Sequence, residues 1–325
     1  MSDTNDNEDP VVTSENASHA SDLQDGHSGI GDSDSKQEVM SISLTSESSN
    51  DEYDVSDEDD VSLTSESLDD TGDITSDHPS EHIPKYLDGT IPDDFVEIYS
   101  LPRLVPECVK RGLRATLSVD LATGYDLSKQ STRMLVKHEI RARRPRALGL
   151  SSPCTMFSKL NRMWNKKKYS NEEWDARMNA AVIHLEFSME LAQEQVDGGR
   201  IFFHEHPRTA SSWQQECVTH VSACDGCRHA CFDQCRFGLM TPVSQVPMKK
   251  ATKLLHNIGA LQNIFHGKHC KCKNIELPSG ATGRHQRIQG SEGRYKLSRW
   301  AQTYSQDMVK SLVDGICQEL TQAAI

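Results

Sequence analysis

The composition of the chain changes abruptly near residue 90, and this change limits how much of it can fold. The chain has 325 residues, of which 48 are acidic and 35 basic. Residues 1–90 contain 25 of the acidic residues and only two basic ones. A segment with so few apolar residues and so much like charge cannot bury enough surface to offset its chain entropy. We therefore predict a disordered acidic tail over 1–90.

The remaining residues, 91–325, have the opposite charge balance. They carry 23 acidic and 33 basic residues, so their net charge is +10 although the whole chain has a net charge of −13. They also contain all ten Cys and are numerous enough for one sizeable α/β domain. We expect a single folded domain with a Cys/His-rich insertion at about 217–285. Its positive charge is compatible with a nucleic-acid partner.

The sequence carries no pattern that predicts a membrane or a secreted location. No run approaches the roughly 18 apolar residues that span a bilayer, and the N-terminus lacks a signal-peptide pattern. We expect an intracellular protein, nuclear if the source is eukaryotic, with no membrane partner. Cysteines in a reducing compartment are more often free thiols, metal ligands or nucleophiles than disulfides.

The acidic tail contains a short duplication, Ser-Leu-Thr-Ser-Glu-Ser, at 43–48 and again at 62–67. Ser and Thr followed by acids suit acid-directed kinases, and added phosphate would strengthen attraction to a basic surface. A kinase or a basic partner is therefore one interpretation, and a solvated acidic spacer is the other. If deletion of 1–85 left nucleic-acid affinity unchanged, the tail would have no role in covering a basic surface.

The folded part opens with a strand, a helix and a second strand. Residues 95–99 are typical of a short strand, 105–112 of a helix with Pro in its first turn and Gly at its end, and 115–119 of a strand that ends at Asp120. This order predicts the start of a doubly wound fold. An acid after the second strand commonly binds ribose hydroxyls, but Asp120 could equally cap a turn.

Two later strand ends carry reactive side chains. The apolar run 147–150 leads directly into Ser151-Ser-Pro-Cys154, and the run 200–203 leads into His204-Glu-His-Pro207. A long helix lies between them, because apolar residues repeat at spacings of 3 and 4 from a Ser170/Glu173 capping box to Gly198-Gly199. Open α/β sheets place their chemistry at such strand ends. Further helices are predicted over 128–144 and 304–320.

Taken in order, these elements resemble the cytosine-5 DNA methyltransferases, especially divergent relatives found in phages and mobile elements. The resemblance rests on the strands that end in Asp120, in Ser-Pro-Cys154 and in His-Glu-His-Pro207, with a similar Gln-Cys-Arg-Phe-Gly at 234–238. It covers about 94–317. It implies an α/β, Rossmann-like S-adenosylmethionine-dependent methyltransferase fold that follows the disordered acidic tail, with DNA as partner and S-adenosylmethionine as cofactor.

The resemblance also implies roles for individual residues. Cys154 matches the nucleophile that adds to carbon 6 of cytosine, and Glu205 matches the acid that holds the base at nitrogen 3. A thiolate at carbon 6 and a proton donor at nitrogen 3 are what activate carbon 5. Arg236, with Gln234, falls near a polar element that supports the site. The residues implied for the cofactor are Asp120, which would bind its ribose, and Glu97, Ser100 and Pro153.

The sequence departs from the family in three places. The first loop, 100–104, has no Gly. In the family this loop is rich in Gly, which lets the backbone come close to the cofactor. Ser152 precedes Pro153 where the family has Pro, and His206 replaces the usual Asn. Two functions therefore remain open. One is an active DNA cytosine methyltransferase, and the other is a non-catalytic nucleic-acid-binding or mobile-element accessory protein, which the missing glycines favour.

The cysteines and the basic runs allow further sites. We predict a structural zinc held by Cys224, Cys227 and Cys231, with free thiols as the alternative and a zinc-stabilised interaction module as a third function. A second set of possible ligands comprises His269, Cys270, Cys272 and His285.

The basic runs at 141–146, 166–168 and 249–250 are either phosphate contacts or solvated faces, and 141–146 is also compatible with a nuclear-import signal.

Overall fold

A computed structural model describes residues 92–322, apart from the side chains of Leu160 and Trp164. The predicted acidic tail lies outside these residues. The strands of the main sheet are β1 (Phe95–Ile98), β2 (Leu117–Val119), β3 (Ala147–Leu150), β4 (Ile201–Pro207), β5 (Arg228–Asp233) and β6 (Ala251–His256). The helices are α1 (Leu104–Lys110), α2 (Gln130–Arg143), α3 (Lys159–Trp164), α4 (Asn171–Asp197), α5 (Glu216–Ser222), α6 (Gly259–Phe265), α7 (Leu297–Trp300) and α8 (Gln306–Gln322).

The six strands form one mixed sheet in the order β2-β1-β3-β4-β6-β5. The first four strands of this order are parallel, β6 is antiparallel to β4, and β5 is antiparallel to β6. The chain is therefore α/β, as predicted, and the sheet is compatible with a Rossmann-like fold. Two two-stranded hairpins follow, formed by β7 (Ile275–Glu276) with β8 (Thr282–Gly283) and β9 (Ser291–Glu292) with β10 (Tyr295–Lys296).

Helices cover both faces of the sheet, so the parallel strands are apolar on both sides, as expected for such sheets. Val96 and Ile98 of β1 pack into a core with α2, α4 and α5. Phe95 packs into a second core with α1, α6 and α8. Gly149 of β3 lies on the Phe95 side, where an added Cβ would lie 2.8 Å from a ring carbon of Phe203. The absence of a side chain at 149 lets these rings close over the sheet.

The long predicted helix is confirmed together with its cap. The Ser170 hydroxyl accepts a hydrogen bond from the Glu173 amide at 3.1 Å, and the Glu173 carboxylate accepts one from the Ser170 amide at 2.9 Å. These bonds satisfy two amides that the first turn would otherwise leave free. Helix α4 ends at Asp197, next to the predicted Gly198. None of the helices within 92–322 is both long and apolar enough to cross a bilayer.

Two features of the sheet differ from the sequence-based prediction. Strand β4 continues through Pro207, so Glu205 lies inside a strand and not in the loop that follows it. The Cys/His-rich segment predicted as an insertion at about 217–285 contains β5 and β6, two of the six strands. Both differences have one cause, because β6 pairs antiparallel with the extension of β4 over Phe203–Pro207.

Candidate active site

Three strands end together at one edge of the sheet. Ile98 of β1 pairs with Leu150 of β3, and Leu150 pairs with His204 of β4. The loops after β1 and β3 and the outer half of β4 therefore share this edge. Ligands of open α/β sheets bind outside the carboxyl ends of the strands. The register brings Cys154, four residues beyond Leu150, and Glu205, one residue beyond His204, to this edge.

Cys154 lies in the loop after β3 and precedes a short 3-10 turn, Thr155–Phe157. The residue is half-buried, and its thiol is free. Burial raises the pKa of Cys154, Lys250 lowers it, and the Glu205 carboxylate raises it. The Cys154 thiol and the Glu205 carboxylate therefore interact electrostatically, and their roles on a cytosine ring stay predictions. Lys250 is the cation that favours the thiolate.

Glu205 is buried and lies between a lysine and a tyrosine. Its Oε1 lies 3.5 Å from Lys250 Nζ, and its Oε2 accepts a hydrogen bond from the Tyr304 hydroxyl at 3.4 Å. Tyr304 can donate because burial, with the Glu205 charge, raises the pKa of Tyr304 well above its usual value. Oε1 is buried and has no hydrogen-bond donor among the described residues. Buried carboxylate oxygens are rarely left this way.

His206 ties the Cys154 loop to β4. Its Nε2 lies 2.8 Å from the Ser152 carbonyl oxygen, which can only accept, so Nε2 carries the proton and donates. Its Nδ1 then accepts from the Ser212 hydroxyl at 2.7 Å. Burial lowers the pKa of His206 to about 4, although the Glu205 charge opposes this. His206 is thus a neutral side chain that positions the segment before Cys154.

Sequence reasoning missed Lys250 and Tyr304 as parts of the site. Lys250 was grouped with the basic runs, and Tyr304 was only the start of a predicted helix. Lys250 immediately precedes β6, whose antiparallel pairing with β4 brings it to Glu205. Tyr304 precedes α8 and also bonds Ser151, at 2.7 Å between the two hydroxyl oxygens. No local sequence pattern indicates either residue, because Lys250 reaches Glu205 through the pairing of β6 with β4 and Tyr304 reaches it through packing.

The loop after β1 is held from inside by Glu97. This carboxylate is fully buried and accepts hydrogen bonds from the amides of Arg103, Leu104 and Val105 and from the Ser118 hydroxyl at 2.7 Å. Burial raises its pKa, and these bonds lower it in part. Glu97 therefore fixes the loop after β1, and its predicted contact with a cofactor stays a prediction.

The other residues predicted for the cofactor lie at the same edge. Ser100 is half-buried, and its hydroxyl donates to the Leu101 carbonyl at 3.0 Å. Pro153 is exposed beside Cys154. Asp120 caps the 3-10 turn Leu121–Thr123, because its Oδ1 accepts from the Ala122 amide at 2.9 Å. The capping role weighed from the sequence is therefore present, and ribose binding by Asp120 stays a prediction.

Arg236 and Gln234 fall beyond β5, at the far side of β6. Gln234 is fully buried and donates from Nε2 to the Thr252 hydroxyl at 3.0 Å, so it joins β5 to β6. Arg236 is exposed, and its charge acts on the thiol of Cys272, whose thiolate it favours. The structure therefore associates Arg236 with a thiol cluster, and its predicted support of Cys154 stays untested.

A cluster of possible metal ligands lies next to Arg236. The ligand atoms of Cys235, Cys270, Cys272 and His285 all lie within 4.8 Å of one another. Cys270 Sγ lies 3.1 Å from His285 Nε2. Three of the four belong to the second set noted in the sequence, and Cys235 joins them through the fold.

The predicted ligands Cys224, Cys227 and Cys231 do not form such a group within residues 92–322. Cys224 donates to the Gln193 side chain at 3.4 Å, and Cys227 packs against the core on the α4 side. Cys231 lies within β5, opposite Lys253. The prediction rested on the short spacing of these residues in the sequence. In the structure Cys224 and Cys227 precede β5 and contact the α4 side, whereas Cys231 lies within β5.

The basic runs differ in how far they are neutralised. In 141–146, Arg141 pairs with Glu194, Arg143 with Asp93 and Glu139, and Arg146 with Asp94. Lys166–Lys168, by contrast, are exposed and make no ion pair with any residue of 92–322. Exposed Lys159 and Arg162 lie on α3, just before them. The unpaired positive charge near the site therefore follows Cys154 directly in the chain.

A comparison with protein-family models and with curated proteins finds no match for this sequence.

Proposed function

We propose that this protein is a DNA cytosine-5 methyltransferase-like protein in which Cys154 and Glu205 act together on a cytosine ring. The observation that supports this most is the buried Oε1 of Glu205, which has no hydrogen-bond donor in the described part of the chain. It belongs to a carboxylate whose charge acts on the Cys154 thiol. Oε1 has an ion pair with Lys250 Nζ at 3.5 Å but no hydrogen bond within residues 92–322, so we expect it to accept one from an N–H donor of a bound group.

The arrangement has the groups that the cytosine reaction needs. The Cys154 thiolate would form a bond to ring carbon 6, and the displaced electron pair would move through the ring towards nitrogen 3. A proton shared between Glu205 and nitrogen 3 would neutralise that charge, which makes carbon 5 nucleophilic. Lys250 favours the thiolate, and Tyr304 fixes the other carboxylate oxygen. S-adenosylmethionine, when bound, would supply the methyl group to carbon 5, and loss of the carbon 5 proton to a base would then break the bond at carbon 6 and restore the Cys154 thiolate.

The residues that would hold this cofactor are Ser100, Asp120 and Pro153. They fit in position, because each follows one of the neighbouring parallel strands β1, β2 and β3 at the edge where open α/β sheets bind ligands. Asp120 uses Oδ1 for its cap. The Glu97 contacts hold the loop between β1 and α1 in place behind them.

The exposed basic residues after Cys154 support DNA as the substrate. A base inside a duplex must be turned out to reach a thiol at a strand end, and a positive surface is needed to hold the backbone while this happens. Lys159, Arg162 and Lys166–Lys168 supply such a surface on α3 and the following turn.

The test is calorimetry with S-adenosylmethionine, followed by transfer of a labelled methyl group to mixed-sequence DNA. We expect cofactor binding, and transfer that Cys154→Ser abolishes without loss of cofactor affinity. Cys317→Ser is the matched control, because Cys317 is half-buried on α8, outside the site. Unchanged transfer by Cys154→Ser would refute the assigned role.

A second candidate, a nucleic-acid-binding protein without catalysis, is favoured by the first loop. This loop has no Gly, contains Pro102 and begins at Tyr99, which has a positive φ of 60°. Bulky residues rarely adopt this backbone conformation, and it persists only where the surroundings enforce it. The Tyr99 hydroxyl is bound to His184 Nδ1 at 3.0 Å. DNA binding without cofactor binding at millimolar concentration would support this candidate against the enzyme.

A further inference from the structure

The group formed by Cys235, Cys270, Cys272 and His285 combines three separate parts of the chain. Cys235 lies in the 3-10 turn after β5, Cys270 and Cys272 lie in the loop after α6, and His285 follows the β7–β8 hairpin. We propose that these four residues bind one structural zinc ion. The site differs from the Cys224, Cys227 and Cys231 set that the spacing of the sequence suggested.

The distances between the ligand atoms suit a tetrahedral zinc. With Zn–S bonds of about 2.3 Å and Zn–N bonds of about 2.0 Å, the edges of the tetrahedron are about 3.8 Å between sulfurs and about 3.6 Å between sulfur and nitrogen. All ligand atoms already lie within 4.8 Å of one another, and Cys270 Sγ lies 3.1 Å from His285 Nε2. Shifts of about 1 Å or less close the tetrahedron.

The set of ligands defines the type of metal and its role. Three thiolates with one imidazole in a tetrahedron favour zinc over the hard cations, which prefer oxygen ligands. Four protein ligands leave no open position for a substrate, so the ion would be structural.

Neighbouring groups hold the ligands in place. The buried Asp233 carboxylate accepts a hydrogen bond from the Cys270 amide at 2.8 Å. The Cys272 amide donates to Cys270 Sγ at 3.4 Å. Such outer contacts orient the ligands of metal sites. Asp233 also lies 3.9 Å from Lys249 Nζ, next in sequence to the Lys250 that contacts Glu205.

The segment that contains three of the four ligands has no buried core of its own, although backbone hydrogen bonds join its first residues to β5. From His266 to Lys296 no residue is fully buried, and the only regular elements are strands of two residues. A short segment without a core of its own commonly depends on a metal or a disulfide. Cys270, Cys272 and His285 all lie within this segment, whereas Cys235 is attached to the main sheet. A bound zinc ion would therefore link residues 266–296 to the turn that follows β5.

The first test is elemental analysis of the full chain, expressed with zinc and purified under reducing conditions. We expect about one zinc ion per chain. Cys270→Ser combined with Cys272→Ser should reduce the zinc content to near zero. The matched control, Cys224→Ser with Cys227→Ser, should retain it. Zinc that is lost only from the control variant would overturn the assignment, as would a wild-type content near zero or iron in place of zinc.

A second measurement uses only the wild-type chain, so it does not depend on the folding of a variant. Zinc exchanged for Co²⁺ should give the visible absorption of tetrahedral cobalt, with thiolate-to-cobalt charge transfer of the strength expected for three sulfur ligands. A spectrum of octahedral cobalt, or charge transfer for four sulfurs, would contradict the proposed Cys₃His set.

Discussion

Acidification should weaken the fold through His206, and the size of the effect follows from its burial. A histidine in the unfolded chain has a pKa of 6.5, whereas burial lowers that of His206 to about 4. The unfolded state therefore binds the proton first, so stability is complete above pH 6.5 and is lost as the pH falls towards 4. At about pH 4.5 this histidine alone should remove about 2.5 kcal/mol from the free energy of unfolding.

The variant that isolates this effect is His206→Asn. It removes the titrating ring and its bonds to Ser152 and Ser212, which should cost about 1–3 kcal/mol at neutral pH. Urea unfolding followed by Trp fluorescence measures both proteins at neutral pH and at about pH 4.5. At the lower pH the difference should move by about 2.5 kcal/mol in favour of the variant, so that it nearly disappears or changes sign. For the exposed control His266→Asn we expect no such change.

An equal difference at both pH values for His206→Asn would refute the reasoning, because it would mean that this ring is not held neutral in the folded protein.

Two further predictions concern the charges around the site. Lys250→Met should raise the pKa of Cys154 further, because the neighbouring Glu205 charge then acts unopposed, and alkylation of Cys154 by iodoacetamide should need a higher pH; an unchanged pH profile would contradict this electrostatic role. Replacing Lys166–Lys168 by Gln should weaken DNA binding and reduce the slope of log affinity against log salt by about one per phosphate contact. Arg141→Gln, which removes a charge already paired with Glu194, should leave that slope nearly unchanged.

Local patterns in the sequence were sufficient for the parallel half of the sheet. The strands at 95–98 and 147–150 and the capped helix from 171 to 197 were predicted because apolar runs, spacings and caps are encoded within a few residues. The antiparallel pair β5–β6 was not predicted. Its residues lie in a segment rich in Cys and His, and its partner in the sheet, β4, lies far away in the sequence.

The candidate site was predictable only in part, for the same physical reason. Cys154 and Glu205 follow buried strands directly, so a pattern could indicate them. Lys250 and Tyr304 reach Glu205 through pairing and packing that no local pattern encodes. The Cys/His cluster shows this most clearly, because Cys235 and His285 are 50 residues apart in the sequence and meet only in the folded structure.

The position of Tyr304 has a consequence for the order in which the protein is assembled. A chain emerges from the ribosome with its N-terminal part first, so β1 to β4 can associate before β6 and α8 exist. Until then Glu205 lacks both Lys250 and Tyr304, which complete its surroundings from later parts of the chain. A nascent or truncated chain that ends before Tyr304 contains all six strands, yet it lacks the hydroxyl that contacts Glu205 and the α8 side chains that cover one face of the sheet. The surroundings of Glu205 are thus complete only in a chain that extends through Tyr304.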